Sequence, residues 1–201
     1  MKEVGFPARA MSRFIETLST EMGHETYRAV LDKSELSTDW LQSSFFLAMD
    51  NSQAAEAYSK LQSALRTYYG RGARGVLMRI GAKLWKPILD DASVFLKIQA
   101  AIVRGLPKAW RRKPALELLA RLVGAGWGNM TVHTLDLDLL FVDRASPTTL
   151  EKPENAPVCF VTFGLIRECL FWATGEEHDI EERSCKAAGA QQCEFKITLG
   201  A

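Results

Sequence analysis

Histidine is scarce in this chain. Among 201 residues only His24, His133 and His178 occur, and none is spaced from a serine, cysteine or aspartate so as to pick out a Ser/His/Asp or Cys/His catalytic set. Long apolar runs are missing too. No segment approaches the roughly 18 uninterrupted apolar residues of a membrane-spanning helix, and the N-terminal MKEVGFPARAMSRF has no apolar core of a secretory signal. Internal repeats and low-complexity tracts are absent. These absences lead us to expect a cytoplasmic protein without a membrane segment. Thiols stay reduced in that compartment, so the four cysteines read as metal ligands or core residues and not as disulfides.

With 47% hydrophobic and 24% charged residues, the chain is long enough for one ordinary core or at most two small ones. A net charge of +1 conceals an asymmetry. Residues 134–201 carry 12 acidic and 6 basic side chains out of totals of 24 and 25, which leaves 12 acidic and 19 basic in residues 1–133. The basic excess gathers in Arg66, Arg71, Arg74, Arg79, Lys83 and Lys86 and in the Lys108–Lys113 run. A nucleic-acid surface would show such clusters. They fall on helices whose other faces are apolar, however, and a solvated face or a subunit contact accounts for them without nucleic acid.

Up to about Val123 the apolar spacing is helical. Phe14, Ile15, Leu18 and Met22 form a stripe ended by Gly23; Tyr27, Val30 and Leu31 begin another; Tyr58, Leu61, Leu65, Tyr68 and Tyr69 form a longer one that stops at Gly70. A further helix is expected through Val76, Leu77, Ile80, Leu84 and Trp85 as far as Pro87, whose ring limits continuation. Val94, Phe95, Ile98 and Ile102 mark the next, and Pro114–Val123 the last, with proline in its first turn. Beyond the glycine-rich 124–128 the pattern changes. Thr131–Val142 reads as one or two strands, 146–157 as a loop, Cys159–Trp172 as a buried helix, and His178–Arg183 with Cys193–Leu199 as a hairpin. The expected fold is α+β: a helical N-terminal part, residues 1–125, then residues 126–201 with a small antiparallel sheet and a packed helix.

Gly70-Arg-Gly-Ala-Arg-Gly75 matches G-x-G-x-x-G literally. In a dinucleotide-binding fold that motif joins a strand to a helix. Here a helical stripe precedes it, so the glycines read as a helix stop followed by a new helix start.

The densest chemistry lies near the C-terminus, where Cys159, Glu182, Cys185 and Cys193 are spaced C-x22-E-x2-C-x7-C. A borderline-soft cation such as zinc takes thiolates with one or two harder donors at tetrahedral positions. Four cysteines are equally at home as small buried apolar residues, and spacing alone does not separate the two readings. Geometry narrows the set. On a helix Cys169 would lie about 15 Å from Cys159, and on a strand His178 would lie about 13 Å from Glu182. Cys169 is therefore expected in the core and His178 at the surface. Glu181 and Glu182 alternate, so one faces the ligands, and the short step to Cys185 favours Glu182. A tight turn at Gly189 would return Cys193 beside Cys185.

Pro157-Val-Cys159-Phe-Val-Thr-Phe-Gly164, followed by Glu182-x-x-Cys185-x-x-x-Gly189-x-x-x-Cys193-Glu-Phe195, resembles the 4-vinyl reductase domain family. The resemblance is specific over about 157–197. That family includes sensor modules of phenol-responsive activators, hydrocarbon-binding proteins and a bacteriochlorophyll-biosynthesis protein, and it shares its fold with TRAPP vesicle-tethering subunits. The resemblance implies a structural zinc on Cys159, Glu182, Cys185 and Cys193, with no open position for water. It also implies a pocket for a small hydrophobic or aromatic ligand, with Trp127, His133, Phe163, Phe171 and Trp172 on elements that would face it. A homodimer built through the helical N-terminal part is expected from that part's surplus of amphipathic helices and from the opposite charge of the two parts, and the related sensor modules point the same way. Signal output would go through a separate protein. The implied function is non-enzymatic binding or sensing; the alternative is a carrier or reductase-associated protein of the tetrapyrrole pathway. This chain departs from the pattern at Ile166-Arg-Glu168, where many relatives have a second glycine.

Overall fold

The computed structural model describes residues 4–124, 126, 128–151 and 153–199. The architecture is α+β. Six helices come first: α1 Ala8–Met22, α2 His24–Lys33, α3 Asn51–Tyr69, α4 Ala73–Asp90, α5 Val94–Gly105 and α6 Lys108–Val123. A hairpin of β1 Met130–Leu135 and β2 Asp138–Asp143 follows, then α7 Phe160–Thr174, then a second hairpin of β3 Asp179–Ser184 and β4 Cys193–Thr198. The four strands form one antiparallel sheet in the order β1-β2-β4-β3.

The helix ends follow local chemistry. Gly23 at φ 80° closes α1, and its N–H reaches the Ser19 carbonyl. Asp50 and Gln53 form a reciprocal capping box at the start of α3, satisfying otherwise orphaned N–H groups. Gly70 at φ 53° stops α3, a conformation that costs a Cβ-bearing residue about 1 kcal/mol or more. The literal G-x-G-x-x-G thus joins helix to helix.

Two helix boundaries differ from the sequence expectation, both at proline. α4 runs through Pro87 to Asp90, because Ile88 continues its buried stripe and the Asp91 N–H still bonds the Pro87 carbonyl. α6 begins at Lys108 behind Pro107, and Pro114 lies inside it. A proline deprives the carbonyl four residues back of its donor; here those residues are Lys83 and Trp110, both exposed, where water can serve. The other departure is α5. It turns Ala100 and Val103 to the core and leaves its strongest apolar row, Val94, Phe95, Ile98 and Ile102, facing outward. Periodicity identifies a face, not what the face meets.

One core cluster runs from Phe6 to Ile197 and draws on both parts of the chain. α7 packs most extensively on α4 and also against α6. The α4–α7 contact is made by backbone: a Cβ added at Gly81 would lie 2.1 Å from the Val161 carbonyl oxygen, and one at Gly164 would lie 2.0 Å from that of Met78. The basic surplus of the N-terminal part is partly consumed within the chain. Arg66 pairs with Glu154, Arg112 with Glu176, and Arg79 and Lys83 with Glu21. Among the described residues no helix is long and apolar enough to cross a membrane.

Because neither helix can retreat from that crossing without unpacking the core, Gly164→Ala is expected to destabilise the fold by about 2–3 kcal/mol. Urea denaturation measures this, with Gly175→Ala, which has open space around it but a positive φ, as a milder comparison.

Candidate metal and ligand sites

Cys159, Glu182, Cys185 and Cys193 come together. One ligand atom from each lies within 4.8 Å of all the others. Cys159 is the residue before α7, Glu182 sits on β3, Cys185 opens the 3-10 turn after β3, and Cys193 begins β4 opposite Asp143 of β2. Residues three apart on a regular strand face opposite sides of a sheet. A register shift between Glu182 and Ser184 against β4 changes that phase, and Glu182 and Cys185 end on the same side. Gly189, at φ 90°, then turns the chain back.

The sulfur separations are informative. Cys159 Sγ lies 3.5 Å from Cys193 Sγ and 3.7 Å from Cys185 Sγ, and the last two are 3.9 Å apart. All four cysteines are free thiols. A tetrahedron with metal–sulfur bonds of about 2.3 Å has edges of about 3.8 Å, so the three thiols already stand at its corners. Glu182 Oε1 is buried with no hydrogen-bond partner, which is a cost unless a cation faces it. Burial, and next the Cys185 charge, push the Glu182 carboxyl up to about 8. Hydrogen bonds from the Cys159 and Cys193 thiols favour the Cys185 thiolate, while Cys159 is held protonated by its contacts with Cys185 and Cys193 and by burial. Four donors thus compete for very little negative charge. A divalent cation removes that competition.

Around the cluster the backbone is tied down. The Lys186 N–H points to Cys193 Sγ at 3.4 Å, Ala188 and Ala190 donate to the Cys185 carbonyl, and Ser146 Oγ lies 3.7 Å from Cys159 Sγ. Burial raises the Asp143 carboxyl to about 6 while its Oδ1 accepts from the Ala145 N–H. Nothing in the spacing of Asp143 and Ser146 marks them in the sequence; Asp143 arrives through its register opposite Cys193, and Ser146 through the loop that follows β2.

Cys169 is buried on α7 and donates to the Ala115 carbonyl at 3.2 Å, away from the cluster. His178 is half-buried, receiving a hydrogen bond from Arg112 at 3.0 Å.

The ligand-pocket candidates do not converge in the same way. Trp127 lies outside the described residues. His133 is exposed on β1 beside Thr131, and Phe171 is 47% exposed. Phe163 and Trp172 are half-buried on α7. Trp172 meets Trp85 of α4 edge to face at 5.3 Å, with the Arg104 guanidinium over its ring. In the sequence Trp85 is marked only as part of the α4 apolar stripe. It is 1% exposed, and its Nε1–H is buried without an acceptor.

Residues 142–199 match the family model of the V4R domain, the resemblance read from the Cys159 and Cys185 motifs. No curated protein matches the chain. Among solved structures, an unliganded Fe(II) H-NOX mutant from K. algicida is 13% identical with a TM-score of 0.60, covering 96% of this chain and 95% of that one. An H-NOX protein from S. oneidensis in the Fe(II)NO state is 14% identical with a TM-score of 0.58, over 96% and 99%. A trafficking protein particle complex subunit 3 from Naegleria fowleri, covalently bound to palmitic acid, is 15% identical with a TM-score of 0.52, over 73% and 95%. At such identities the likeness is one of fold, and the TRAPP-like α+β arrangement is shared.

The turn that closes the cluster tolerates little. Gly189→Val is expected to cost about 1–2 kcal/mol and to raise the alkylation rates of Cys185 and Cys193 while Cys169 stays protected. Mass spectrometry of iodoacetamide-treated protein reads both.

Proposed function

We propose that this protein is a non-enzymatic binding or sensing domain for a small hydrophobic or aromatic ligand, built around a structural zinc held by Cys159, Glu182, Cys185 and Cys193. The observation that carries the reading is the near-tetrahedral set of three thiols and one carboxyl inside the segment that matches the V4R domain. Four protein ligands leave no coordination position for water, so the metal would fasten β3, β4 and the start of α7 and would not catalyse. When bound, zinc supplies charge compensation that lets all four donors ionise.

The ligand reading is supported by the Trp85–Trp172 contact. A buried indole N–H without an acceptor leaves a donor that a hydroxyl or carbonyl oxygen of a bound aromatic would satisfy, with the neighbouring rings supplying apolar contact. The structurally similar N. fowleri protein carries palmitic acid, which fits an apolar occupant of this fold. The tetrapyrrole alternative has the H-NOX fold neighbours on its side, one of them described for heme distortion, and the packing of this chain against it. α4 and α7 touch backbone to backbone, and His24 and His133 are exposed while His178 is engaged by Arg112. We further propose that the protein acts in the cytoplasm as a homodimer, passing its signal to a separate protein.

Cys185→Ser should release the metal and lower stability by on the order of 3 kcal/mol or more, whereas Cys169→Ser should leave metal content unchanged; chelator titration followed by circular dichroism distinguishes them. For the ligand, Trp85→Phe removes the orphaned donor. It is expected to weaken binding of a phenolic probe by about tenfold while leaving stability nearly unchanged, as tryptophan fluorescence titration and thermal melting would show. Equal probe affinity in both proteins would refute the Trp85 site, and native mass spectrometry finding a co-purified tetrapyrrole would refute the aromatic-ligand reading.

A further inference from the structure

Four large apolar side chains stand exposed in one row of α5: Val94 is 74% exposed, Phe95 70%, Ile98 56% and Ile102 61%. Residues 94, 98 and 102 are spaced by four, so they form a single ridge along the helix with Phe95 beside it. Continuous apolar surface of this kind on a folded chain marks an interaction site. We propose that this ridge is the dimerisation face, on which α5 of a second copy lies antiparallel across a two-fold axis at Ile98. The inference rests on the homodimer reading above and specifies its surface.

Two features favour a second copy in this orientation. The ridge is palindromic: a two-fold axis at Ile98 sets Val94 of each protomer against Ile102 of its partner and Ile98 against itself, so every apolar residue meets another. Charge points the same way. Asp90, exposed and paired with Lys86, flanks the N-terminal end of α5, while the C-terminal end carries exposed Lys108, 3.7 Å from Glu176, and exposed Arg104, which donates to the Trp172 carbonyl. An antiparallel pair brings each acidic end to a basic end, whereas a parallel pair sets like charges together. Asp91 is not available for this, being held by Arg13. A helix of 12 residues is about 18 Å long and presents less than the roughly 800 Å² per partner of a standard interface. The dimer is therefore weak and concentration-dependent, with the 70% exposed Trp110 at its basic end.

Sedimentation velocity of the full chain over roughly 1–500 µM tests this. The wild type is expected to move from the 22.4 kDa monomer toward twice that mass. Ile98→Asp, which places two carboxylates on the axis, should raise the dissociation constant at least about 100-fold with an unchanged circular dichroism spectrum. If that variant misfolds, Ile98→Ser serves in its place. Asp90→Lys and Lys108→Glu should each weaken the dimer by about tenfold, and an equimolar mixture of the two should restore it, since both ends then pair opposite charges. A wild type that stays monomeric throughout overturns the dimer and this face together, and would leave the ridge to a different protein. A dimer that survives Ile98→Asp and Ile98→Ser unchanged keeps the dimer and overturns the α5 face.

Discussion

Three thiols and a carboxyl within 4.8 Å of one another cannot all lose their protons unless a cation sits among them. That constraint organises the C-terminal third of this protein. Cys159 anchors the start of α7, Glu182 and Cys185 the end of β3 and its turn, and Cys193 the first residue of β4. Without a cation the cluster is a buried, partly unsatisfied polar group, with Glu182 Oε1 left without a partner. With one, it becomes a cross-link between segments far apart in sequence. No disulfide is needed to hold the terminal hairpin against the helix.

The cluster matters to the rest of the molecule through α7. The same helix that begins at Cys159 crosses α4 at Gly164 and Gly81, closely enough that neither position admits a side chain. Its C-terminal end is held by Arg111, which donates to the Ala173 carbonyl, and by Arg104, which donates to that of Trp172. Displacing the start of α7 would therefore be felt at the Trp85–Trp172 contact. The cysteine–glutamate cluster and the aromatic contact thus lie on one rigid element.

Much of this was legible in the residues, and the exceptions share a cause. Helix stops at Gly23 and Gly70, the turn at Gly189 and the choice of Glu182 over Glu181 all follow from local chemistry or spacing. The bulge that aligns Glu182 with Cys185 did not show, because a register shift depends on the partner strand. By local chemistry Pro87 marks a helix stop and Pro114 a helix start. They are tolerated inside helices because the carbonyls they strand belong to exposed residues, a fact of tertiary placement. The same holds for the aromatic candidates. Apolar spacing puts Phe163, Phe171 and Trp172 on one helix, but packing decides that Trp172 meets Trp85 while Phe171 faces outward.

Zinc K-edge X-ray absorption on the protein as purified would show whether Cys159, Glu182, Cys185 and Cys193 hold zinc. The expected result is one zinc per chain with three sulfur neighbours at about 2.3 Å and one oxygen at about 2.0–2.2 Å. A protein that carries no zinc yet is as stable as after zinc addition, or a zinc shell dominated by nitrogen and water, would contradict it.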